Sequence, residues 1–148
     1  PETKLFLNDR VDLALALRTS GVHLRESSLP GSVVRRLLHP SQLLGLSVHS
    51  IDGAVAAEQQ GADFVVLGPI YDTLSKREYG PPLGLQVLER VARTVRIPIF
   101  AIGGITAARA REARAAGAFG VGVLSSILCA ANVEQATEEL LSAIELES

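Results

Sequence analysis

Two short loops in the sequence carry the residue types that bind an anion. Gly103 and Gly104 follow an apolar run, Ile99 to Ile102, and Ser125 and Ser126 follow another, Val121 to Leu124. Glycine lets a backbone turn tightly and come close to a ligand. The serines leave hydroxyls and free N–H groups where a short helix, Ile127 to Ala130, is expected to start. Taken singly, each loop has an ordinary explanation, since Gly-Gly eases a crowded turn and Ser125 caps a helix. Taken as a pair, they read as a phosphate cup. Other polar residues fall at comparable places: Asn8 and Asp9, His23 with Glu26 and Ser28, Ser47 with His49 and Ser50, and Thr73 with Ser75 and Lys76. Lys76 would bring a mobile point charge to a phosphate. His49 offers acid–base chemistry, and equally suits a structural hydrogen bond at a strand end. Asp9 suits a divalent metal or the cap of the helix that follows it. His39, beside Pro40, reads as surface on the opposite rim. No Ser-His-Asp order, Gly-rich nucleotide loop or paired-carboxylate spacing is present.

These residues share a site only if the elements before them point the same way. Strands are expected near Lys4 to Leu7, Val22 to Leu24, Leu44 to Val48, Phe64 to Leu67, Ile97 to Ile102 and Gly120 to Leu124. Helices are expected at about Val11 to Arg18, Gly31 to Leu38, Ile51 to Gln60, Leu85 to Thr94, Thr106 to Ala116 and Val133 to Glu145. Strand and helix alternate every twenty residues or so, which argues for a parallel sheet in a barrel or a doubly wound fold. The two apolar runs flanking the cup lack polar alternation, as strands covered on both faces do. In a parallel barrel every strand's C-terminal end reaches one rim, and phosphate commonly binds after the last two strands beside a short extra helix. Gly21, Gly61 and Gly117 sit where left-handed helix caps are expected, and Thr106 is a candidate N-cap. The connection PIYDTLSKREYGPPLG, Pro69 to Gly84, is sixteen residues long and suggests a lid over the strand ends.

Bulk composition narrows the function. At 148 residues and 47% hydrophobic, the chain can bury one core and reads as one domain, 1–148. Fourteen basic against sixteen acidic residues give a net charge of −2, with no basic stripe for a nucleic-acid backbone. No apolar run spans a bilayer, and no signal peptide opens the sequence. A single cysteine, Cys129, fits a reducing, cytoplasmic setting and reads as a small buried hydrophobe.

In order and spacing, LFLNDRVDLALA, GVHL, LGLSVHS, GADFVVLGPIYDTLSK, GPPLGL, IPIFAIGGI and GVGVLSSI resemble the thiamine phosphate synthase and TenI superfamily. The resemblance implies a TIM-type (β/α)8 barrel of thiamine biosynthesis that binds a thiazole phosphate, with six βα units visible here. It implies that Gly104, Leu124 and Ser125 bind the thiazole phosphate, with Gly103 beside them, and that Thr73 and Ser75 contact the thiazole, followed by Lys76. It implies that Asn8 and Ser47 contact a pyrimidine pyrophosphate and that Asp9 binds magnesium. Against magnesium stands Ser28, in place of the family's second carboxylate. Pro69 stands where tautomerising members carry a histidine, which leaves His49 as the candidate for proton transfer. The family's first two strands have no counterpart here, so about a quarter of a barrel wall is expected to be missing.

The reading that follows is a TenI-like protein that binds thiazole phosphate, with tautomerase-type proton transfer involving His49 and Lys76. One alternative is a thiamine phosphate synthase that joins hydroxymethylpyrimidine pyrophosphate to thiazole phosphate. Another is a non-catalytic or degenerate barrel that binds a phosphorylated ligand. Open apolar strand edges lead to the expectation of pairing into a homo-oligomer, or of aggregation.

Overall fold

The six expected strands form in a computed structural model that describes residues 3–73 and 81–144. In chain order the elements are β1 (Phe6–Asn8), α1 (Val11–Ala16), β2 (Gly21–Leu24), α2 (Gly31–Leu37), β3 (Leu43–Val48), α3 (Ile51–Gln59) and β4 (Phe64–Leu67). There follow α4 (Gly84–Thr94), β5 (Ile99–Ile102), α5 (Ala107–Ala115), β6 (Gly120–Gly122), α6 (Ser125–Leu128) and α7 (Val133–Ile144). Spatial order equals sequence order, and each of the five neighbouring pairs is parallel. Right-handed crossovers that always step in one direction put the helices on one face of the sheet, so the strands curve into a half-barrel.

Period-two alternation sorts the two faces. Val22, Leu24, Leu44, Leu46, Val65, Leu67, Ile99 and Ala101 are buried against the helices, with Val34, Leu88 and Val91 fully covered. Ala54 and Ala57 of α3, and Ala110 and Ala113 of α5, are also buried, and their small size lets those helices lie close on the sheet. The other face carries Phe6, Phe64 and Phe100, which with Phe119 form an edge-to-face row at 5.2, 5.4 and 5.5 Å. Glycines on neighbouring strands make room for the rings. A Cβ on Gly45 would sit 2.2 Å from Phe64 Cζ, and one on Gly120 would sit 2.8 Å from Phe100 Cε1. This inner face is open at Ile102, which is 39% exposed, so the β5 run is not covered on both faces as its apolar sequence predicts.

Four sequence expectations change in the structure. Gly21 is a strand residue rather than a helix cap; a Cβ there would meet Leu43 O at 2.1 Å, while Arg18 takes the positive φ at the end of α1. Gly61 and Gly117 do hold left-handed φ angles, as expected. Cys129 is exposed, because α6 ends at Leu128 on the surface instead of entering the core. The short helix begins at Ser125, two residues before the expected start. Asp9 does not cap α1, whose N-cap position is Arg10 with no side-chain cap bond. Thr106 caps α5 as predicted, accepting from Arg109 N at 3.4 Å, and Ser50 caps α3 through Gly53 N at 3.0 Å.

Candidate functional site

The parallel register puts Asn8 beside His23, and His23 beside Gly45, two residues before Ser47. These side chains meet at the C-terminal rim. His23 Nδ1 lies 3.1 Å from Asn8 Oδ1, and Nε2 lies 3.2 Å from Ser47 Oγ. Burial of the imidazole lowers its pKa below the ordinary 6.5, although the Asp9 charge works in the opposite direction. The neutral ring then donates from Nδ1 to the Asn8 carbonyl oxygen and accepts the Ser47 hydroxyl at Nε2. Asn8 is left with its NH2 group for a ligand. Sequence reasoning placed His23 on the rim and missed this bridge; the signal was its position across the ladder from Asn8.

Asp9 sits next to this group in a left-handed conformation, φ 57°, with its amide donating to His23 O at 2.9 Å. Its Oδ1 accepts from Arg25 N at 3.1 Å and from the Ser28 hydroxyl, and its Oδ2 pairs with Arg25 Nε. Partial burial alone would raise the carboxyl pKa. The bonds from Ser28 and Arg25 outweigh it, and the pKa falls below 3.8. Magnesium would need these same oxygens in octahedral geometry, usually with a second carboxylate or ligand phosphates. Among the described residues no group of three or more His, Cys, Asp or Glu side chains could hold a metal ion. The donor set around Asp9 does not fit one.

On the neighbouring β3–α3 turn, His49 Nδ1 donates to Gly68 O at 2.6 Å, which leaves Nε2 facing Glu26 Oε2 at 4.0 Å. A carbonyl oxygen can only accept, so this contact makes Nδ1 a protonated nitrogen and directs Nε2 toward Glu26.

The far side of the rim is built on the Gly-Gly loop. Gly103 and Gly104 have φ of 97° and 64°. A Cβ on Gly103 would fall 2.6 Å from Pro69 Cβ, and one on Gly104 would fall 2.6 Å from Asp72 O. The loop after β4 therefore packs directly on the glycines, and this packing demands glycine whether or not an anion binds. The carbonyls of the segment are tied down: Ile102 O accepts from Ile70 N at 2.8 Å, Gly103 O from Tyr71 N at 3.1 Å, and Gly104 O from Arg109 Nη1 at 2.8 Å. Arg109 also lies over the Tyr71 ring at 4.6 Å, and Tyr71 donates to Glu112 Oε2 at 2.6 Å. Burial and the Glu112 carboxylate push the Tyr71 pKa up to about 12, so its hydroxyl remains a donor. The Ser126 hydroxyl donates to Ile105 O and joins the start of α6 to the same loop. Ser125 and Ser126 open α6, and their amides precede the first helical bonds, which run from Ile127 N and Leu128 N to Leu124 O. Leu124 precedes them and is 70% exposed.

The candidate residues thus fall into two groups on one rim, Asn8, Asp9, Ser47 and His49 on β1 to β3, and Gly103, Gly104, Leu124 and Ser125 on β5 and β6. Thr73 follows β4 between them, and Ser75 and Lys76 lie outside the described residues. The sequence reading also overlooked Arg25, Tyr71 and Arg109. Arg109 was detectable as the cation one turn into the helix that follows Gly-Gly, whereas nothing local marks Arg25 as a partner for Asp9. A cavity lined by Ala92, Pro98, Arg114 and Phe119 lies at the opposite ends of the strands and takes no part in this rim.

Comparison with known proteins agrees with this architecture. A structure described as thiamine phosphate pyrophosphorylase from Pyrococcus furiosus superposes with a TM-score of 0.84 at 37% identity, over 94% of this chain and 66% of that one. Thiamine-phosphate synthases of Roseiflexus sp. and Roseiflexus castenholzii are both 44% identical, over 95% and 92% of this chain. The chain spans only 59% and 60% of their lengths. The sequence profile of the family described as thiamine monophosphate synthase matches residues 2–127. With that match, these relatives and the superposition, the chain belongs to the thiamine monophosphate synthase (TMP-TENI) family.

Proposed function

We propose that the chain serves the thiamine-phosphate synthase reaction, in which a thiazole phosphate is joined to hydroxymethylpyrimidine pyrophosphate and pyrophosphate leaves. The observation that carries this reading is the tie between the Gly103–Gly104 loop and the start of α6 through Ser126 and Ile105, which brings two amide-rich turns to one place. Such turns bind phosphate through N–H groups with little rearrangement. Across the rim, Asn8 and Ser47 are held by His23, which leaves the Asn8 NH2 group as a neutral donor and the Ser47 oxygen as an acceptor for the second substrate. Synthase relatives favour this reading over the tautomerase-type one. In this scheme Gly104 and Ser125 hold the thiazole phosphate, Thr73, Ser75 and Lys76 contact the thiazole, and Leu124 lines the cup. Asn8 and Ser47 face the pyrimidine substrate. Calorimetric titration with thiazole phosphate should show one site per chain, and mixing both substrates should yield thiamine phosphate. Absence of heat with thiazole phosphate would remove the proposal.

One observation favours a second reading. His49 turns Nε2 toward Glu26 on the rim, a pairing of the kind that a proton-transfer group needs. Isomerisation of a thiazole carboxylate phosphate that disappears in His49→Gln would support it.

A further inference from the structure

We propose that Arg25 is a built-in cation at Asp9, so that this rim takes no divalent metal there. The inference rests on the synthase reading for its chemical meaning but not for its test. Three donors close around a single carboxylate: the Arg25 amide and the Ser28 hydroxyl on Oδ1, and Arg25 Nε on Oδ2. The surrounding backbone is fixed to suit them. Ser28 N donates to Arg25 O at 3.0 Å and closes the turn that carries both donors, while the Asp9 amide is anchored on His23 O. A metal ion would have to strip these bonds and would gain no second carboxylate. Ser28 is neutral, and Glu26, the acidic side chain of the same turn, faces His49. The Arg25 side chain is 67% exposed, so its guanidinium reaches past Asp9 toward solvent. An anionic group arriving at this rim therefore meets a planar cation tethered through Nε, with its other nitrogens suited to bidentate contact with phosphate oxygens, instead of a metal.

The test uses Mn2+ as the probe, read by the electron paramagnetic resonance signal of the free ion in solutions of the whole chain. The wild type should leave the signal unchanged, and Asp9→Asn should behave identically. Arg25→Gln combined with Ser28→Asp, which frees Asp9 and adds a carboxylate, should bind Mn2+ about tenfold or more tighter than the wild type. Arg25→Lys, with a near-native circular dichroism spectrum, controls for a folding defect and should leave the rim closed. Mn2+ uptake by the wild type that Asp9→Asn abolishes would overturn the proposal, as would a folded double variant that still takes up none. Failure of thiazole phosphate to bind would sink the synthase reading and leave the Mn2+ result standing.

Discussion

His23 Nε2 meets the Ser47 hydroxyl at 3.2 Å, and through this contact β2 sets the orientation of a rim hydroxyl on β3. The same ring reaches Asn8 on β1 with its other nitrogen. A neutral imidazole satisfies both neighbours at once, and a protonated one would lose its acceptor for Ser47.

That requirement makes stability depend on pH in a defined direction. The folded pKa of His23 is lowered, mainly by burial, so the unfolded chain binds the proton more readily. The ring's contribution is complete above the unfolded value of about 6.5 and is lost as pH falls through the lower folded value. Urea denaturation at neutral and mildly acidic pH should show the wild type losing more stability than His23→Gln across this window. Equal losses in the two proteins would contradict the assignment.

Arg109 clamps the Gly-Gly loop by stacking on Tyr71 and donating to Gly104 O. Arg109→Ala should destabilise the fold by about 1–2 kcal/mol, the combined scale of a part-buried cation–π contact and a charged hydrogen bond. Affinity for thiazole phosphate should fall with it, because the loop is no longer held. Thermal denaturation and calorimetry on the same variant check both effects; unchanged affinity would separate the clamp from the phosphate site.

Gly104 and Gly61 are both left-handed, at φ 64° and 83°, yet alanine should be tolerated differently at the two positions. At Gly61 the added methyl meets the flexible Arg35 side chain at 3.2 Å, whereas at Gly104 it meets the Asp72 carbonyl oxygen at 2.6 Å. Gly61→Ala should cost about 1 kcal/mol of left-handed strain. Gly104→Ala should cost at least about 1 kcal/mol more, since backbone must move. Denaturant midpoints compare the two directly, and equal costs would show that the β4 loop yields freely.

Gln42, 5% exposed, donates from Nε2 to Ala14 O at 2.8 Å and to Thr19 O at 3.1 Å, tying α1 and the turn after it to the start of β3. Gln42→Leu fills similar space but leaves two part-buried or buried carbonyls unpaired. A loss of about 2 kcal/mol is expected. Chemical denaturation measures it, and a variant as stable as the wild type would mean that water reaches those carbonyls.

The sequence by itself determined the alternation of strand and helix, and with it a parallel sheet whose strand ends gather the polar residues on one rim. Those features follow from local periodicity and from the one-handed crossover, and both are visible in residues such as Phe64 to Leu67 and the Thr106 cap. It also singled out Gly103, Gly104 and Ser125 as two neighbouring turns that are candidates for holding an anion. Only the tertiary structure decided what each polar group touches. The register between β1 and β2 turned Asp9 from the expected helix cap into the partner of Arg25 and Ser28. Packing of the β4 loop gave Gly104 a steric reason to be glycine, and the surface course of α6 exposed Cys129. Such contacts join residues far apart in the chain, and their partners are set by strand register and side-chain fit, which local sequence patterns do not encode.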